Sequence, residues 1–341
     1  MHGKFLTFCI LLFCTISYGQ IGGQHVYQFL NLVTSPRQAA LGGKIITIYD
    51  EDVNTAHFNP ASINAAMDNR IALNYASYYG EVTYGTASYA YNFEGKYVQT
   101  MQAGVNYVNY GKFDGRDENG NETSEFTGSE IAMSVGYGYV VPNTKLHLGA
   151  SAKLISSTLE SYNSFGGALD IGAMYIRENE TNYSLVIRNI GTQFSSYDGT
   201  KETLPLEIMV GVSQQLQNVP IRWHLTLENL QQWNVAFSNP ARAQGTIDGG
   251  TEEEEVSVFN NALRHVIFGF ELFPKRAFNF RVGYNFRRSE ELRVLEQRHF
   301  SGLSVGFGLK LNRFKFNYSY SRYTLAANTS LFGLTINFGE N

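Results

Sequence analysis

Apolar and polar residues alternate along most of the chain, and the pattern is clearest near the C-terminus. The stretch FNFRVGYNFRR, residues 278–288, places aromatic and aliphatic side chains on one face and Asn, Arg and Gly on the other. Residues 301–312, 314–323 and 330–338 follow the same rule. A period of two is that of a β-strand whose two faces meet different surroundings. The pattern therefore predicts strands in these stretches.

The same criterion predicts about fourteen strands in the whole chain. Several span ten to twelve residues, the length that a tilted strand needs to cross the hydrocarbon of a membrane. The predicted strands are 70–79, 82–93, 98–110, 126–141, 145–157, 163–176, 182–190, 205–216, 220–230, 263–273, 278–288, 301–312, 314–323 and 330–338.

The composition decides between a soluble and a membrane-embedded sheet. The chain has 22 Tyr, 24 Phe and 33 Gly but only 7 Pro, and beyond the N-terminus it has no apolar run long enough for a spanning helix. The apolar face is rich in aromatic residues, as in lipid-facing girdles, while the other face mixes charged with small residues. This predicts an all-β fold, a transmembrane antiparallel outer-membrane β-barrel. The alternative is a soluble periplasmic β-sandwich or propeller.

The predicted links alternate in length. Short links follow every second strand: 94–97, 142–144, 177–181, 217–219, 274–277 and 312–313. The intervening links are mostly longer: 111–125, 191–204, 231–262 and 289–300. Outer-membrane barrels have short periplasmic turns and long outside loops. An even number of strands then predicts a multi-pass barrel in the cell outer membrane with both termini in the periplasm.

The first residues read as an export signal. Lys4 is followed by an apolar stretch from Phe5 to Ile16 and by the small residues Ser17 and Gly19, which predicts a signal peptide over 1–19. A lipoprotein signal that uses Cys14 is the alternative, although the bulky Phe13 before it argues against this. Both cysteines lie in this stretch, so the mature chain would have no disulfide.

Residues 20–68 fit neither a helix nor a strand period. They are rich in Gly and Ala, and they contain Asp50, Asp52 and the turn at Asn59 and Pro60. Irregular backbone at membrane depth is tolerated only inside protein or a wet cavity, and fourteen strands enclose a wide lumen. We therefore predict a plug or hatch over 20–68 inside a barrel formed by 69–341. The alternative is a periplasmic extension below the barrel.

Charged residues on the polar face are expected in the lumen, where they would pair with one another or with the plug. A transported ligand is the alternative partner for them. These lumen residues are Arg222, Glu228, Glu271, Arg281 and Lys310.

Motifs of catalysis are missing from the sequence. The histidines are scattered, no P-loop or nucleophile elbow occurs, and the net charge of −4 does not favour nucleic acid as a partner. Asp117, Asn119 and Asn121 have a calcium-like spacing, but Gly120 is misplaced for an EF-hand, which favours an acidic surface loop. The sequence thus predicts a non-enzymatic protein with no cofactor and no metal site.

The long loops 231–262 and 289–300 are the predicted docking surface for a partner. Exposed aromatic residues rimmed by polar ones often anchor partners, although Trp233 could equally lie at the lipid interface. The acidic run could equally be a solvated loop tip. The docking candidates are Trp233, Phe237, Glu252, Glu253, Glu254, Glu255, Arg293 and Arg298.

Several stretches carry a resemblance to known families. The Gly-rich segment with its acidic residues and Asn59-Pro60-Ala61, ahead of the strands, resembles the long-chain fatty-acid transporter superfamily and its PorV-like relatives. Longer stretches, among them GGQHVYQFLNLVTSPRQAALGGKIITIYDEDVN, VIRNIGTQFSSYDGT and PIRWHLTLENLQQW, resemble the PorQ family of type IX secretion system barrels.

The PorQ resemblance implies partners that the residue pattern does not reveal. It implies an attachment complex with a sortase-like peptidase, a PorV-like barrel and a PorZ-like surface protein, which attaches secreted cargo to anionic lipopolysaccharide. The implied role is the membrane anchor of the PorZ-like protein, with no catalytic residues. The rival interpretation is a fatty-acid-transporter-like channel for hydrophobic small molecules, with 20–68 as a movable hatch, and a passive adhesin is a third.

Overall fold

The computed structural model describes residues 25–78, 81–93, 99–117, 119–236, 244–245, 251–252, 256–292, 301–322 and 328–339. Fourteen antiparallel strands in these residues form one closed barrel. They are β1 Arg70–Ser77, β2 Thr83–Phe93, β3 Gln99–Phe113, β4 Phe126–Val140, β5 Leu146–Leu159, β6 Tyr162–Ile176, β7 Thr181–Ser195, β8 Glu207–Gln215, β9 Ile221–Leu227, β12 Val266–Leu272, β13 Phe278–Asn285, β14 Leu303–Leu311, β15 Phe314–Arg322 and β16 Asn328–Asn337. A small hairpin of β10 Gln244–Gly245 and β11 Thr251–Glu252 stands outside the ring.

The ring closes between the first and the last strand. β1 pairs with β16 in a register that sets Asn74 opposite Gly333 and Tyr75 opposite Phe332, and β1 pairs with β2 on its other side. Closure leaves no open strand edge, which in lipid would expose unpaired backbone groups. The predicted class and strand number are confirmed.

Two predicted strands are shorter than expected because helices replace their ends. Helix α1 is Pro36–Ala40, α2 is Val258–Leu263 and α3 is Phe286–Glu291. The side chain of Ser257 caps α2, so the strand predicted from residue 263 begins only at Val266. Asn285 caps α3 by accepting a hydrogen bond from the Arg288 N–H at 2.8 Å. The strand predicted to continue to residue 288 therefore ends at Asn285. None of the helices in the described ranges has the length and apolar character to cross a membrane.

The strand faces follow the predicted alternation. Outward apolar side chains stay half exposed in the isolated chain, for example Leu154, Phe278 and Phe332. Inward ones are polar and buried, for example Asn279 and Arg281. An exposed apolar belt around a ring with polar inner residues is the arrangement of a barrel in lipid.

The two rims of the barrel differ. We call turn end the rim at which residues 94–98, 141–145, 177–180, 216–220, 273–277 and 312–313 connect the strands, and β1 begins and β16 ends there. We call loop end the opposite rim, where residues 114–125, 196–206, 228–265 and 286–302 connect them. Most of the long links gather at the loop end, as the sequence predicts, although residues 160–161 form a tight link there.

Residues 25–69 lie inside the ring, and we call them the interior segment. The segment starts at the loop end, where the Val26 N–H donates to the Thr203 carbonyl, and it joins β1 at the turn end after Asn69. Along the way it forms α1 and four short 3₁₀ helices. Its first described residue is thus at the opposite rim from Phe338, whereas the sequence suggests entry from the turn side. The predicted signal peptide lies outside the described residues.

The interior segment fits because glycines of the wall make room for its backbone. A Cβ atom added to Gly283 of β13 would lie 1.9 Å from the carbonyl carbon of Leu41. A Cβ atom added to Gly149 of β5 would lie 2.2 Å from the carbonyl carbon of Pro60. Glycine allows such close backbone approach because it has no side chain. Gly149 and Gly283 are therefore positions at which the backbone of the segment lies directly against the wall.

The loop end of the interior is an apolar core. Tyr27, Phe29 and Leu30 of the segment pack against inward residues of the wall such as Tyr84 and Ile155. The Tyr27 hydroxyl also shares a hydrogen bond of 2.6 Å with Ser164. The apolar layer at this rim lies above the charged residues that fill the middle of the barrel.

Candidate functional site

The middle of the barrel holds a cluster of ions around Glu271. Arg37 of the interior segment makes a bidentate pair with Glu271, through Nε to Oε1 at 2.7 Å and Nη2 to Oε2 at 3.0 Å. Arg37 also contacts Asp50 at 2.8 Å and Asp52 at 3.4 Å. Both Arg37 and Glu271 are buried, so neither charge is compensated by water. We call this set the Glu271 cluster: Arg37, Asp50, Asp52, Arg222, His224, Glu271 and Arg281.

The wall supplies further partners to Glu271. Arg281 Nε lies 3.0 Å from Glu271 Oε1, and the Arg281 Nη1 group donates to Asn317 Oδ1 at 2.9 Å. His224 Nε2 lies 3.4 Å from Glu271 Oε2, and its Nδ1 lies 2.9 Å from the Thr47 hydroxyl of the segment. Buried charges are tolerated when they are paired and hydrogen-bonded. Glu271 meets this condition through strands and segment together.

A second cluster lies around Glu207. Lys44 of the interior segment contacts Glu207 at 2.7 Å and Glu228 at 3.6 Å. Arg188 Nη1 lies 3.0 Å from Glu207 Oε2, and its Nη2 group donates to the Leu30 carbonyl at 3.0 Å. Asp170 then links Arg188 to a lysine of β5. We call this set the Glu207 cluster: Lys44, Lys153, Asp170, Arg188, Glu207 and Glu228.

The two clusters join the interior segment to two strands of the wall, β12 and β8, which both pair with β9. Each holds three cations and three anions, so neither leaves an excess of buried charge. Arg37 connects the segment to β12, and Lys44 connects it to β8. Because removal of one partner would leave a buried charge unpaired, the geometry holds the segment in one register with the wall.

Asp50 and His57 titrate away from their ordinary ranges. Burial opposes ionisation of Asp50, but the Arg37 guanidinium outweighs it and holds the pKa of this carboxyl below its usual range. Burial, together with the charges of Lys153 and Arg188, lowers the pKa of His57 to about 4. His57 is therefore neutral at physiological pH, and its Nε2 lies 2.6 Å from the Ser88 hydroxyl of β2.

Asn59 and Pro60 form a tight turn against the wall. Asn59 Oδ1 accepts the Ala61 N–H at 2.9 Å, while its Nδ2 group donates to the Ile46 carbonyl at 2.7 Å and to the Ser184 hydroxyl at 2.8 Å. Asp52 caps the preceding 3₁₀ helix in a similar way, by accepting the Asn54 N–H at 3.2 Å. The side chains of Asn59 and Asp52 thus form their hydrogen bonds inside the protein.

Four of the five predicted lumen residues belong to the two clusters. Arg222, Glu271 and Arg281 are in the Glu271 cluster, and Glu228 is in the Glu207 cluster. Lys310 stands apart at the turn end and contacts Glu51 at 3.2 Å. Sequence reasoning missed the cations of the segment, Arg37 and Lys44. A usable signal existed: these are the only Lys or Arg residues in 20–68, and inward glutamates on the strands require cations.

The base of the long link 228–265 is ordered around His265. Its Nδ1 lies 2.7 Å from the Glu228 carbonyl oxygen and its Nε2 lies 3.0 Å from the Trp233 carbonyl oxygen. The Trp233 ring also stacks on His265, with 5.6 Å between ring centroids. His265 thus fixes both the backbone and the ring of Trp233.

The same base exposes apolar side chains at the loop end. Asn261 of α2 donates to the Trp233 carbonyl and accepts from the Val235 N–H, which ties the helix to the tryptophan. Trp233 is 59 % exposed, and Val258 and Phe259 at the start of α2 are 72 % and 74 % exposed. The last two exceed every outward apolar side chain of the described strands. Sequence reasoning missed both, since neither stands out in a short helix.

The other predicted docking residues cannot be placed. Glu252 belongs to β11, and its side chain is not described. Phe237, Glu253, Glu254, Glu255, Arg293 and Arg298 lie outside the described residues. Asp117 Oδ1 accepts the N–H groups of Asn119 and Asn121, a turn of the kind expected for a surface loop. The described ranges hold no group of three or more His, Cys, Asp or Glu side chains placed to bind a metal ion.

Comparisons with known proteins identify the fold. No protein-family model and no curated protein matches the sequence. Among solved structures, a deltaS2S3 mutant of the monoaromatic hydrocarbon channel TodX matches with a TM-score of 0.54 and 13 % identity, over 89 % of this chain and 98 % of that one. The toluene transporter TbuX of Ralstonia pickettii matches with a TM-score of 0.54 and 13 % identity, over 92 % of this chain and 100 % of that one.

This chain has the fold of an outer-membrane β-barrel. At 13 % identity the likeness establishes the architecture alone, and it agrees with the apolar belt and the closed ring. A FadL homologue of Pseudomonas aeruginosa covers 89 % of this chain and 97 % of its own at 11 % identity, with a TM-score of 0.49.

Proposed function

We propose that this protein is a non-enzymatic outer-membrane anchor that holds a surface protein at its loop end. The resemblance to the PorQ family extends the proposal to the attachment complex of the type IX secretion system. In it, the barrel would hold a PorZ-like protein beside a sortase-like peptidase and a PorV-like barrel. The loop end would face the outside of the cell, near lipopolysaccharide, and the turn end the periplasm.

The observation that carries this proposal is the exposure of Trp233, Val258 and Phe259 on an ordered base. Large apolar side chains in water are unfavourable, and a group of them rimmed by polar residues marks an interaction site. Lipid-facing residues of the strands are less exposed because neighbouring strands cover them. Since His265 and Asn261 fix the base, binding a partner there would cost little ordering of the loop.

The filled interior also favours an anchor over a channel. The turn at Asn59 and Pro60 is buried and hydrogen-bonded, and the two ion clusters join the interior segment to the wall. A channel that opened along this path would have to separate Arg37 from Glu271 and Lys44 from Glu207. Separating buried pairs is costly, so we propose that the segment acts as a fixed plug.

Co-purification tests the proposal. The tagged protein and a Trp233→Ser/Phe259→Ser variant would be extracted from the outer membrane in mild detergent, and the proteins recovered with each identified. We expect a large soluble surface protein and a sortase-like subunit with the wild type, and their loss with the variant. Tyr162→Ser is the matched control, because Tyr162 is 52 % exposed at the loop-end start of β6. Equal recovery with all three proteins would contradict the proposed docking surface.

A channel for hydrophobic small molecules is the second candidate, and the comparisons favour it. TodX and TbuX are described as a hydrocarbon channel and a toluene transporter. An outward groove of about 740 Å³ is lined by Leu73, Tyr75, Phe316 and Phe332 among others, which would suit an apolar molecule approaching from the lipid. In this function the interior segment is a movable hatch. Saturable uptake of a labelled fatty acid or toluene by proteoliposomes, without any protein partner, would favour it.

A further inference from the structure

A polar cavity of about 480 Å³ lies at the turn end, below the interior segment. Tyr49, Asp50 and Glu51 of the segment line one side of it, and the links 177–180 and 273–277 contribute to the other. Its volume is in the range of small-molecule sites in proteins. The cavity is separate from the loop-end surface, so a ligand bound there is independent of the proposed docking function.

The lining of this cavity has more cations than anions. The cations are Arg222, Lys275, Arg276, Lys310 and Lys315, and the anions are Asp50, Glu51 and Glu180. Asp50 is also bound by Arg37, so its negative charge is already compensated within the Glu271 cluster. Positive potential in a concave site attracts anions and raises their local concentration.

Glu51 shows how a carboxylate is accommodated here. Its oxygens lie 3.2 Å from Lys310, 3.5 Å from Lys315 and 3.6 Å from Arg70. Because three cations surround this single carboxylate, one of them can contact a bound oxyanion while the others still pair with Glu51. The chain thus already contains the type of contact that an incoming anion would make.

Two lining groups lack partners within the described part of the chain. Asn279 is only 3 % exposed, and its Oδ1 has no hydrogen-bond partner there. Arg276 is exposed and has no ion pair among those residues. The Asn279 amide oxygen only accepts hydrogen bonds, so it would take a hydrogen from a bound water or from a protonated ligand oxygen, whereas the Arg276 guanidinium can donate to an oxyanion directly.

From these observations we infer that the turn-end cavity binds a small oxyanion, either a phosphate group or the carboxylate at the end of a peptide. Arg276 supplies the guanidinium fork that matches such groups, and Lys310 and Lys315 supply further charge. The anion enters from the turn end, where the links are short and leave the cavity open.

Titration calorimetry on the full-length protein in detergent tests this inference. The probes are inorganic phosphate and a tetrapeptide with a free or an amidated C-terminus, all at constant ionic strength set with chloride. We expect saturable binding of phosphate or of the free peptide. Tighter binding of the free peptide would identify the C-terminal carboxylate of a peptide as the ligand. Tighter binding of phosphate would identify the phosphate group of a solute.

Arg276→Gln separates this site from general charge effects. We expect it to weaken binding about tenfold, because one charge-assisted contact is lost, while Arg276→Lys loses less. Lys112→Gln is the matched control, since Lys112 is an exposed lysine on the loop-end side, paired with Glu125. Folding of each variant is verified by a gel on which the heated and the unheated protein migrate at different positions. Absence of saturable binding by either probe, or an equal loss in Lys112→Gln, would overturn the inference.

Discussion

Arg37 and Glu271 form a buried bidentate ion pair, 234 residues apart in sequence, that joins the interior segment to strand β12 of the barrel wall. Each partner would be an isolated charge in a dry interior without the other. The pair therefore sets the position of the interior segment along the wall. Only one placement of the segment brings Arg37 to Glu271 and Lys44 to Glu207 at the same time. Stability of the filled barrel should depend on it.

Arg37→Gln is expected to destabilise the filled barrel by about 3–5 kcal/mol, because it leaves Glu271 with too few cations in a buried site. Urea unfolding followed by the gel mobility of folded and unfolded forms would measure the change. Lys112→Gln breaks an exposed pair that solvent screens, so it should leave the free energy of unfolding almost unchanged. Equal effects of the two substitutions would mean that the segment is not held by its buried charges.

Gly149→Val is expected to displace the interior segment and open the barrel to ions. The new side chain would collide with the backbone of Pro60, which cannot move without breaking the Asn59 hydrogen bonds. Conductance of single barrels in planar bilayers is the measurement. The wild type should stay closed, and the variant should conduct.

Ala150→Val provides the control for that experiment. Ala150 is the next residue in β5 and is exposed on the outward face, so a larger apolar side chain there meets lipid. We expect no conductance from it. If the wild type itself conducts as well as Gly149→Val, the interior segment does not close the lumen.

Stability should fall between pH 6.5 and pH 4, and His57 should contribute to this fall. The buried neutral ring has a pKa of about 4, below the ordinary value near 6.5, so in this window the unfolded chain takes up a proton that the folded chain refuses. The contribution of His57 is therefore intact above pH 6.5 and is lost as the pH drops toward 4. Thermal unfolding at a series of pH values measures it.

His57→Gln identifies the group responsible. Glutamine keeps a polar contact to Ser88 but does not titrate, so the slope between pH 6.5 and pH 4 should flatten. Asp50 cannot produce the same slope, since its pKa lies below the ordinary 3.8 and its stabilisation is lost only at more acid pH. An unchanged slope in the variant would assign the effect to another group.

His265→Phe should loosen the base of the 228–265 link while it retains the stacking on Trp233. The substitution leaves the Glu228 carbonyl oxygen without its donor and the Trp233 carbonyl oxygen with the Asn261 amide alone, which costs about 1–3 kcal/mol locally. Faster cleavage of this link by an external protease would report the change.

His147→Phe is the comparison for this prediction. His147 also packs against an aromatic ring, that of Tyr49, with the two rings tilted by 59°, but its Nδ1 has no hydrogen-bond partner in the described part of the chain. Its exchange should leave cleavage of the link unaffected. Similar cleavage of both variants would show that ring stacking, rather than the two hydrogen bonds, orders the base.

The class of fold was predictable because the period-two pattern is local. Each barrel strand faces lipid on one side and the interior on the other, so the alternation in 278–285 or 303–311 is visible without knowledge of any neighbour. The strand ends were less predictable where a cap competes with the strand, as Asn285 does at the start of α3. There the alternation continues in sequence although the backbone has turned into a helix.

The partners inside the barrel were decided only by the tertiary structure. The sequence shows that Asp50, Glu271 and Arg281 must be compensated, but it does not show that Arg37 lies between them or that Lys44 reaches Glu207. The exposure of Val258 and Phe259 is equally invisible in sequence, since it depends on the residues that pack over α2. Alternation is fixed by nearest neighbours along the chain, whereas pairing and exposure depend on residues that closure of the ring brings together from distant positions.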